Sequence, residues 1–218
     1  MKRFTDTNVD IGRRRQLVNL LKEKGITNKE VLDAINTIPR HFFVETVFDA
    51  KAYDDIAIQI DAEQTISQPY TVAFQTQLLD VKRGQKILEV GTGSVYQASV
   101  LAHIGARVFT IERQKKLFEN NKTFIFKAKY PNLKFFYGDG FAGLPTYAPF
   151  DKVIITAAAP FIPPKLIEQL KTNGVMVIPV DEGEQQRMLR ITKNEDGSLT
   201  EERFDTCSFV PMLSGKNG

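Results

Sequence analysis

Two short stretches carry the residue types from which chemistry could be built. Lys86-Ile87-Leu88-Glu89-Val90 is a strand-compatible run that enters Gly91-Thr92-Gly93-Ser94-Val95-Tyr96-Gln97, and a helical Ala98 to Ala102 segment follows at once. A strand that turns through Gly-x-Gly into a helix brings bare backbone and unpaired helix N–H groups to one point, which suits a nucleotide-like ligand. About twenty residues on, Arg107-Val108-Phe109-Thr110-Ile111 ends in Glu112, and a carboxylate at the tip of a second strand can accept the hydroxyls of a ribose. The same residues also read as a turn glycine pair and a solvated glutamate.

Other polar residues are open to two readings. In Gln64-Thr65-Ile66-Ser67-Gln68-Pro69-Tyr70 the hydroxyls of Thr65 and Ser67 could face a ligand. Ser67 also stands two residues before Pro69, with Tyr70, Phe74 and Leu78 following at four-residue steps, so taken alone it reads as a helix N-cap. Asp139, between Gly138 and Gly140, is a turn former or a carboxylate aimed at a ligand edge, and by itself a turn. After Val153-Ile154-Ile155-Thr156 the small residues Ala157-Ala158-Ala159 leave space at a strand's carboxyl end, where open α/β sheets bind ligands. His41, beside Phe42 and Phe43, reads as a packed, hydrogen-bonded histidine.

Composition removes several classes of function. A chain of 218 residues has room for one sizeable core, and 42% hydrophobic with 25% charged residues is ordinary soluble composition. The net charge of +3 is small and evenly spread, so no nucleic-acid partner is expected; the one dense basic run, Arg13-Arg14-Arg15, reads as a solvated helix face. The single Cys207 forms no intramolecular disulfide and no cysteine metal cluster, and two histidines, His41 and His103, leave little for zinc or a nucleophilic triad. No metal is expected. Without an apolar leader in Met1 to Asp10 or a membrane-length apolar run, the expectation is a cytoplasmic monomer that binds no membrane.

The elements that must position these residues fall in two parts. Residues 1–80 read as a mostly helical extension: Leu17, Leu20, Leu21 and Lys24 mark a helix stopped at Gly25, then Thr27-Asn28-Lys29-Glu30 has capping-box form before Val31, Ile35 and Ile38. From residue 81 to 218 strands and helices alternate. Strands are expected at Lys86–Val90, Arg107–Ile111, Leu133–Tyr137, Phe150–Thr156 and Val175–Val180, with helices over Gln114–Lys129, where Leu117, Asn121 and Phe124 share a face, and over Pro164–Lys171. Asn194-Glu195-Asp196-Gly197 then joins strands near Met188–Thr192 and Arg203–Val210 as a hairpin. The expected fold is a single α/β domain: a three-layer, Rossmann-like sheet, mostly parallel, with an antiparallel C-terminal hairpin and an N-terminal helical extension.

Together, Ile87–Gln97 and Gln64–Tyr70 resemble the protein-L-isoaspartate O-methyltransferases, and the likeness spans nearly the whole chain. It includes Arg40-His41-Phe42-Phe43-Val44, Ala52-Tyr53, Gly138-Asp139-Gly140, Ile154 to Pro160 and Val177-Ile178-Pro179-Val180. The Thr-Ile-Ser-x-Pro loop is its specific part, since the glycine motif is common to many methyltransferases that use S-adenosylmethionine. The resemblance implies transfer of a methyl group from S-adenosylmethionine, leaving S-adenosylhomocysteine, to the free carboxylate of isoaspartyl residues in damaged peptides and proteins, which starts repair through a succinimide. It implies that Gly91, Thr92 and Gly93 border the donor, that Glu112 takes the ribose hydroxyls, and that Asp139 and Gly140 flank the adenine. Gln64, Thr65, Ile66 and Ser67 would cover the donor. Ser67 matches the family's active-site serine, and Tyr70, Thr156, Ala157 and Ala158 would border the acceptor.

Three positions depart from the family pattern. Val95 stands where a third glycine is usual, and would either crowd the donor or strain the turn if its φ is positive. Glu45 replaces a proline and Glu63 a glycine, and both read as surface variation. The rival to an enzyme is therefore a non-catalytic peptide- or nucleotide-binding relative whose donor pocket Val95 has closed. A nicotinamide dehydrogenase fits less well, because Tyr96 stands where the dinucleotide fingerprint wants Gly or Ala.

Overall fold

The computed structural model describes residues 4–123 and 128–218. Helix α1 (Asn8–Glu23) opens on a capping box, the Thr7 side chain accepting from the Asp10 N–H while the Asp10 carboxylate accepts from the Thr7 N–H. It ends where expected, with Gly25 in the left-handed region at φ 91. Helix α2 (Lys29–Thr37) is capped by Asn28 rather than Thr27, because Gln77 Oε1 takes the Thr27 N–H at 2.8 Å. The basic run of α1 is not wholly solvated. Arg13 and Arg15 are exposed, but Arg14 is buried against Asp6 Oδ2 at 2.9 Å and the Tyr53 hydroxyl at 3.1 Å, since its position on the helix turns it inward.

Two 3₁₀ turns, Arg40–Phe43 and Thr46–Lys51, lead to an antiparallel pair, β1 (Ile58–Gln59) and β2 (Thr65–Ile66), which interrupts the helical reading of the first eighty residues. Helix α3 (Pro69–Leu79) follows. His41 is packed as expected, its Nδ1 2.7 Å from the Tyr53 hydroxyl.

The main sheet is built from β3 (Lys86–Val90), β4 (Arg107–Glu112), β5 (Leu133–Tyr137), β6 (Phe150–Ile155), β7 (Leu170–Asp181), β8 (Gln186–Lys193) and β9 (Leu199–Cys207), with α4 (Tyr96–Ile104), α5 (Lys115–Asn121) and α6 (Pro164–Glu168) between strands. Its order is β5-β4-β3-β6-β7-β8-β9, parallel from β5 to β7 and antiparallel through β8 and β9. Alternate residues of the central strands feed two cores: Ile87, Val108, Ile154 and Val177 join one, and Leu88, Val90, Val153, Ile155 and Ile178 the other. Burial on both faces is why these strands are continuous apolar runs. From β3 the chain first builds outward through β4 and β5, then returns to place β6 on the opposite side, so a crevice opens at the carboxyl ends of β3 and β6.

Several boundaries differ from the sequence reading. Helix α5 ends at Asn121, with Lys122 and Thr123 in a turn and Lys129 in another, short of the expected span to Lys129; Phe124 lies outside the described residues. Helix α6 stops at Glu168, because β7 already pairs Leu170 with Phe150, and Asn173-Gly174 lies within that strand rather than before it. Strand β9 ends at Cys207, which frees Ser208 to Val210 for the tail described below.

Candidate functional site

The glycine turn is shaped by close approach. Gly91 has φ 98, and a Cβ there would meet Thr156 Oγ1 at 2.5 Å. The Thr156 hydroxyl instead donates to the Gly91 carbonyl at 2.8 Å, tying the ends of β3 and β6 together. Gly93 has φ 50 and donates its N–H to Glu112 Oε2 at 2.9 Å, while Gln114 N–H donates to Glu112 Oε1 at 2.8 Å. Glu112 is 5% exposed, so it is a fixed carboxylate rather than a solvated one. Thr92 Oγ1 and Thr110 Oγ1 are 2.6 Å apart beneath the turn.

Val95 occupies the left-handed region at φ 72 and caps α4, with its side chain fully buried in the core and not among the residues lining the cleft. Strain, not crowding, is therefore the consequence of this valine. Val95→Gly should relieve about 1–2 kcal/mol of left-handed strain. It should also lose about 2–4 kcal/mol of buried packing. The expected result is a slightly lower melting temperature with S-adenosylhomocysteine affinity unchanged within about twofold, and a tenfold tighter mutant in calorimetric titration would show that Val95 crowds the ligand after all. Glu63 is corrected in the same sense. It and Ala62 have φ 56 and φ 58 at the tip of the β1–β2 hairpin, so the usual glycine there answers a backbone demand, not surface drift.

The cleft over this turn encloses about 780 Å³, its open mouth included. Gln64, Thr65, Ile66, Ser67, Gly91, Thr92, Gly93, Glu112, Gly140, Thr156 and Ala157 line it. Asp139 does not: its Oδ1 accepts the Phe141 N–H at 2.9 Å, the turn-forming role. Ala158 does not line this cleft either. Its backbone instead holds the C-terminal tail, with Ala158 N–H on Val210 O at 2.8 Å and Met212 N–H on Ala158 O at 2.7 Å. The tail continues to Asn217, which exchanges backbone hydrogen bonds with Arg113 and Lys115.

Tyr96, Gln97, Arg113 and the tail residues Val210 to Leu213 also line the cleft, and sequence reasoning missed them. Pro211 could have signalled the end of the strand, but nothing in the tail's sequence says where it lies.

A second cleft of about 990 Å³, counted in the same way, adjoins the first and shares Thr65, Ser67, Thr156 and Val210 with it. Its walls include Tyr70 and Phe74, whose rings stack at 5.6 Å, with Met188, Phe209 and Cys207. Ser67 does not cap α3. The cap residue is Gln68, with no side-chain cap bond, and Asp55 Oδ1 accepts the Tyr70 N–H at 2.8 Å. The Ser67 hydroxyl makes no hydrogen bond among the described residues, and it sits where the two clefts meet.

Two titratable groups lie near. Burial pushes the Cys207 thiol up to about 11, with Arg187 offsetting part, so no thiolate faces the second cleft at neutral pH. Burial raises the fully buried Glu89 carboxyl to about 8; the Thr110 hydroxyl offsets part of this and the Glu112 charge adds to it. The Thr110 hydroxyl is near enough to influence the charge but pairs with Thr92 at 2.6 Å, and neither Glu89 oxygen has a partner at hydrogen-bond geometry among the described residues. Elsewhere, Asp6, Asp10 and His41 bring ligand atoms within 4.8 Å of one another, but Arg14 engages Asp6, Thr7 engages Asp10 and Tyr53 engages His41.

The model of the family described as Protein-L-isoaspartate(D-aspartate) O-methyltransferase matches residues 12–217. A protein-L-isoaspartate O-methyltransferase of Flavobacterium johnsoniae is 51% identical over 212 residues, 97% of this chain and 99% of its own. That of Christiangramia forsetii is 49% identical over the same shares. Among solved structures, a protein-L-isoaspartate O-methyltransferase superposes with TM-score 0.81 at 26% identity over 91% of this chain, which spans 65% of that longer one. A Plasmodium falciparum structure of the same description, in complex with S-adenosyl-L-homocysteine, gives TM-score 0.76 at 24% identity over 92% and 98% of the two chains.

Proposed function

The chain belongs to the protein-L-isoaspartate(D-aspartate) O-methyltransferase family, and from that premise we propose how its residues carry a methyl group from S-adenosylmethionine to the free carboxylate of L-isoaspartyl residues in damaged peptides and proteins. The observation that carries the reading is the junction of the two clefts at the uncommitted Ser67 hydroxyl. The first cleft fits the donor. Bare backbone borders it at Gly91 and Gly140, where a Cβ would meet Thr156 and Val90 at 2.5 Å. Each Glu112 oxygen accepts one backbone N–H and keeps a lone pair for a ribose hydroxyl.

Gly93 and Thr92 border the methionine and ribose, Gly140 borders the adenine with Asp139 shaping its turn, and Gln64 to Ser67 with the tail cover the donor. S-adenosylmethionine supplies a methyl group on a positively charged sulfur. The remaining work falls to the acceptor side. An isoaspartyl carboxylate is already ionised at neutral pH, so no strong base is needed. Ser67 donates to one carboxylate oxygen and leaves the other aimed along the transfer line, while Tyr70 and Thr156 border the peptide. Excluding water and fixing this alignment are the main catalytic contributions. The following backbone nitrogen then attacks the ester carbonyl and closes a succinimide, methanol leaving far more readily than water would from the ionised acid, and hydrolysis of the ring returns part of the material to aspartyl.

The binding-only alternative rested on Val95, whose side chain points into the core, and nothing else favours it. Among the described residues no helix is long and apolar enough to cross a membrane. The cytoplasmic assignment rests on the single cysteine, a composition that suits a reducing compartment.

The test is transfer of labelled methyl from S-adenosylmethionine to a short isoaspartyl peptide, with the aspartyl peptide as control. Base-labile label on the isoaspartyl peptide alone is the expected result. Label on neither, from folded protein, would overturn the reading.

A further inference from the structure

Helix α3 opens without a side-chain cap of its own. Its first residue, Pro69, has no N–H, and its cap residue Gln68 makes no side-chain cap bond. The missing acceptor comes from outside the helix: Asp55 Oδ1 takes the Tyr70 N–H at 2.8 Å, and the Asp55 carbonyl accepts from Gln68 Nε2 at 2.9 Å. Asp55 is itself held. Lys24 Nζ, at the end of α1, lies 2.6 Å from its second carboxylate oxygen and 5.4 Å from the Tyr70 ring centre. Buried Arg40 donates to the carbonyls of Ala52 at 2.9 Å and Ile56 at 3.4 Å, pinning the loop that carries Asp55. The Asp55 side chain is 7% exposed, so this is a built contact rather than a surface encounter. Its negative charge at the positive end of α3 adds to the hold.

We propose that Asp55 is a positioning residue for methyl transfer: by capping α3 from a separate loop it fixes the turn that presents the Ser67 hydroxyl to the acceptor. With Pro69 as the first helical residue the cap position falls on Gln68, one residue past Ser67, and the Gln68 side chain makes no cap bond. Asp55 supplies the acceptor that Gln68 does not, and the turn held in this way keeps the Ser67 hydroxyl at the junction of the clefts for the peptide carboxylate. Lys24 and Arg40 are the outer supports of this arrangement. The proposal rests on the reading of Ser67 given above.

A double-mutant cycle on Asp55 and Ser67 tests it, read as kcat/KM for the isoaspartyl peptide with S-adenosylhomocysteine affinity and melting curves measured alongside. Asp55→Ala should lower kcat/KM about tenfold or more in the parent but less than about threefold in the Ser67→Ala background, because both losses pass through one hydroxyl. Donor affinity should hold within about twofold. Asp55→Asn keeps an oxygen for the Tyr70 N–H and should restore most of the activity, which a generic folding defect would not predict. Should Asp55→Ala fail to fold, Asp55→Ser, too short to reach the Tyr70 N–H, enters the same cycle and is read in the same way. Equal losses in both backgrounds would overturn the proposal alone. Ser67→Ala with unchanged kcat/KM would overturn the Ser67 reading and this proposal with it.

Discussion

Glu112→Gln is expected to weaken S-adenosylhomocysteine binding about a hundredfold, although the two side chains have nearly the same shape. Both oxygens of Glu112 already accept backbone N–H groups, from Gly93 at 2.9 Å and Gln114 at 2.8 Å. A glutamine has one oxygen and one NH₂, so its amide nitrogen must face one of those N–H groups as a second donor. Either the Gly93 turn opens or the Gln114 bond breaks, and one ribose hydroxyl loses its acceptor as well. Hydrogen bonds to a charged group contribute about 1.5–3 kcal/mol each, so losing one and disturbing another reaches roughly 3 kcal/mol, about two decades in affinity. Glu112→Asp keeps the charge but is too short to reach both N–H groups, and should fall between. Isothermal titration of the three forms decides the matter; a glutamine variant that binds within threefold of the parent would remove Glu112 from the ribose subsite.

Glu89→Gln is expected to stabilise the enzyme at alkaline pH and to leave it nearly unchanged at acid pH. Glu89 is fully buried with unpartnered oxygens, and burial lifts its carboxyl from 4.5 to about 8 in the fold. The sign follows from proton binding. Between those two values the folded chain holds a proton that the unfolded chain has released, so stability is fully present below 4.5 and is lost as pH rises through about 8. The shift corresponds to a penalty of order 4 kcal/mol once the group must ionise or unfold. A neutral glutamine titrates nowhere in this range. At about pH 9 the variant should therefore be more stable by roughly 4 kcal/mol, or about 8–16 °C in melting temperature for a chain of this size. At about pH 5 the two proteins should melt within a degree or two of each other, because both then carry an uncharged, incompletely bonded group. Melting curves across that range make the comparison. A variant less stable by the same amount at every pH would mean that Glu89 is ionised and bonded in the native enzyme.

How much of this was legible beforehand depended on how local the cause was. The glycine turn, Glu112 at the tip of its strand, and the parallel sheet with a C-terminal hairpin follow from short-range signals: β-branched runs buried on both faces, and glycines where the backbone must approach Thr156. Those residues determined the fold class and half of the site by themselves. Ser67 was open to two uses, cap or ligand contact, and the fold puts Gln68 at the cap position while Asp55, a residue from another loop, takes the Tyr70 N–H. Arg14 looked solvated within a basic run until α1 docked against Tyr53 and Asp6. Val95 could crowd or strain, and only its φ of 72 and its burial settle which. The tail from Val210 to Leu213 had no periodic pattern, yet it walls the cleft because Ala158, far away in the chain, pairs with Val210 and Met212, and Arg113 and Lys115 hold Asn217 beyond it. The sequence by itself determined what is set by neighbours along the chain; the tertiary structure decided every question whose answer was a hydrogen-bond partner or a packing surface brought from elsewhere.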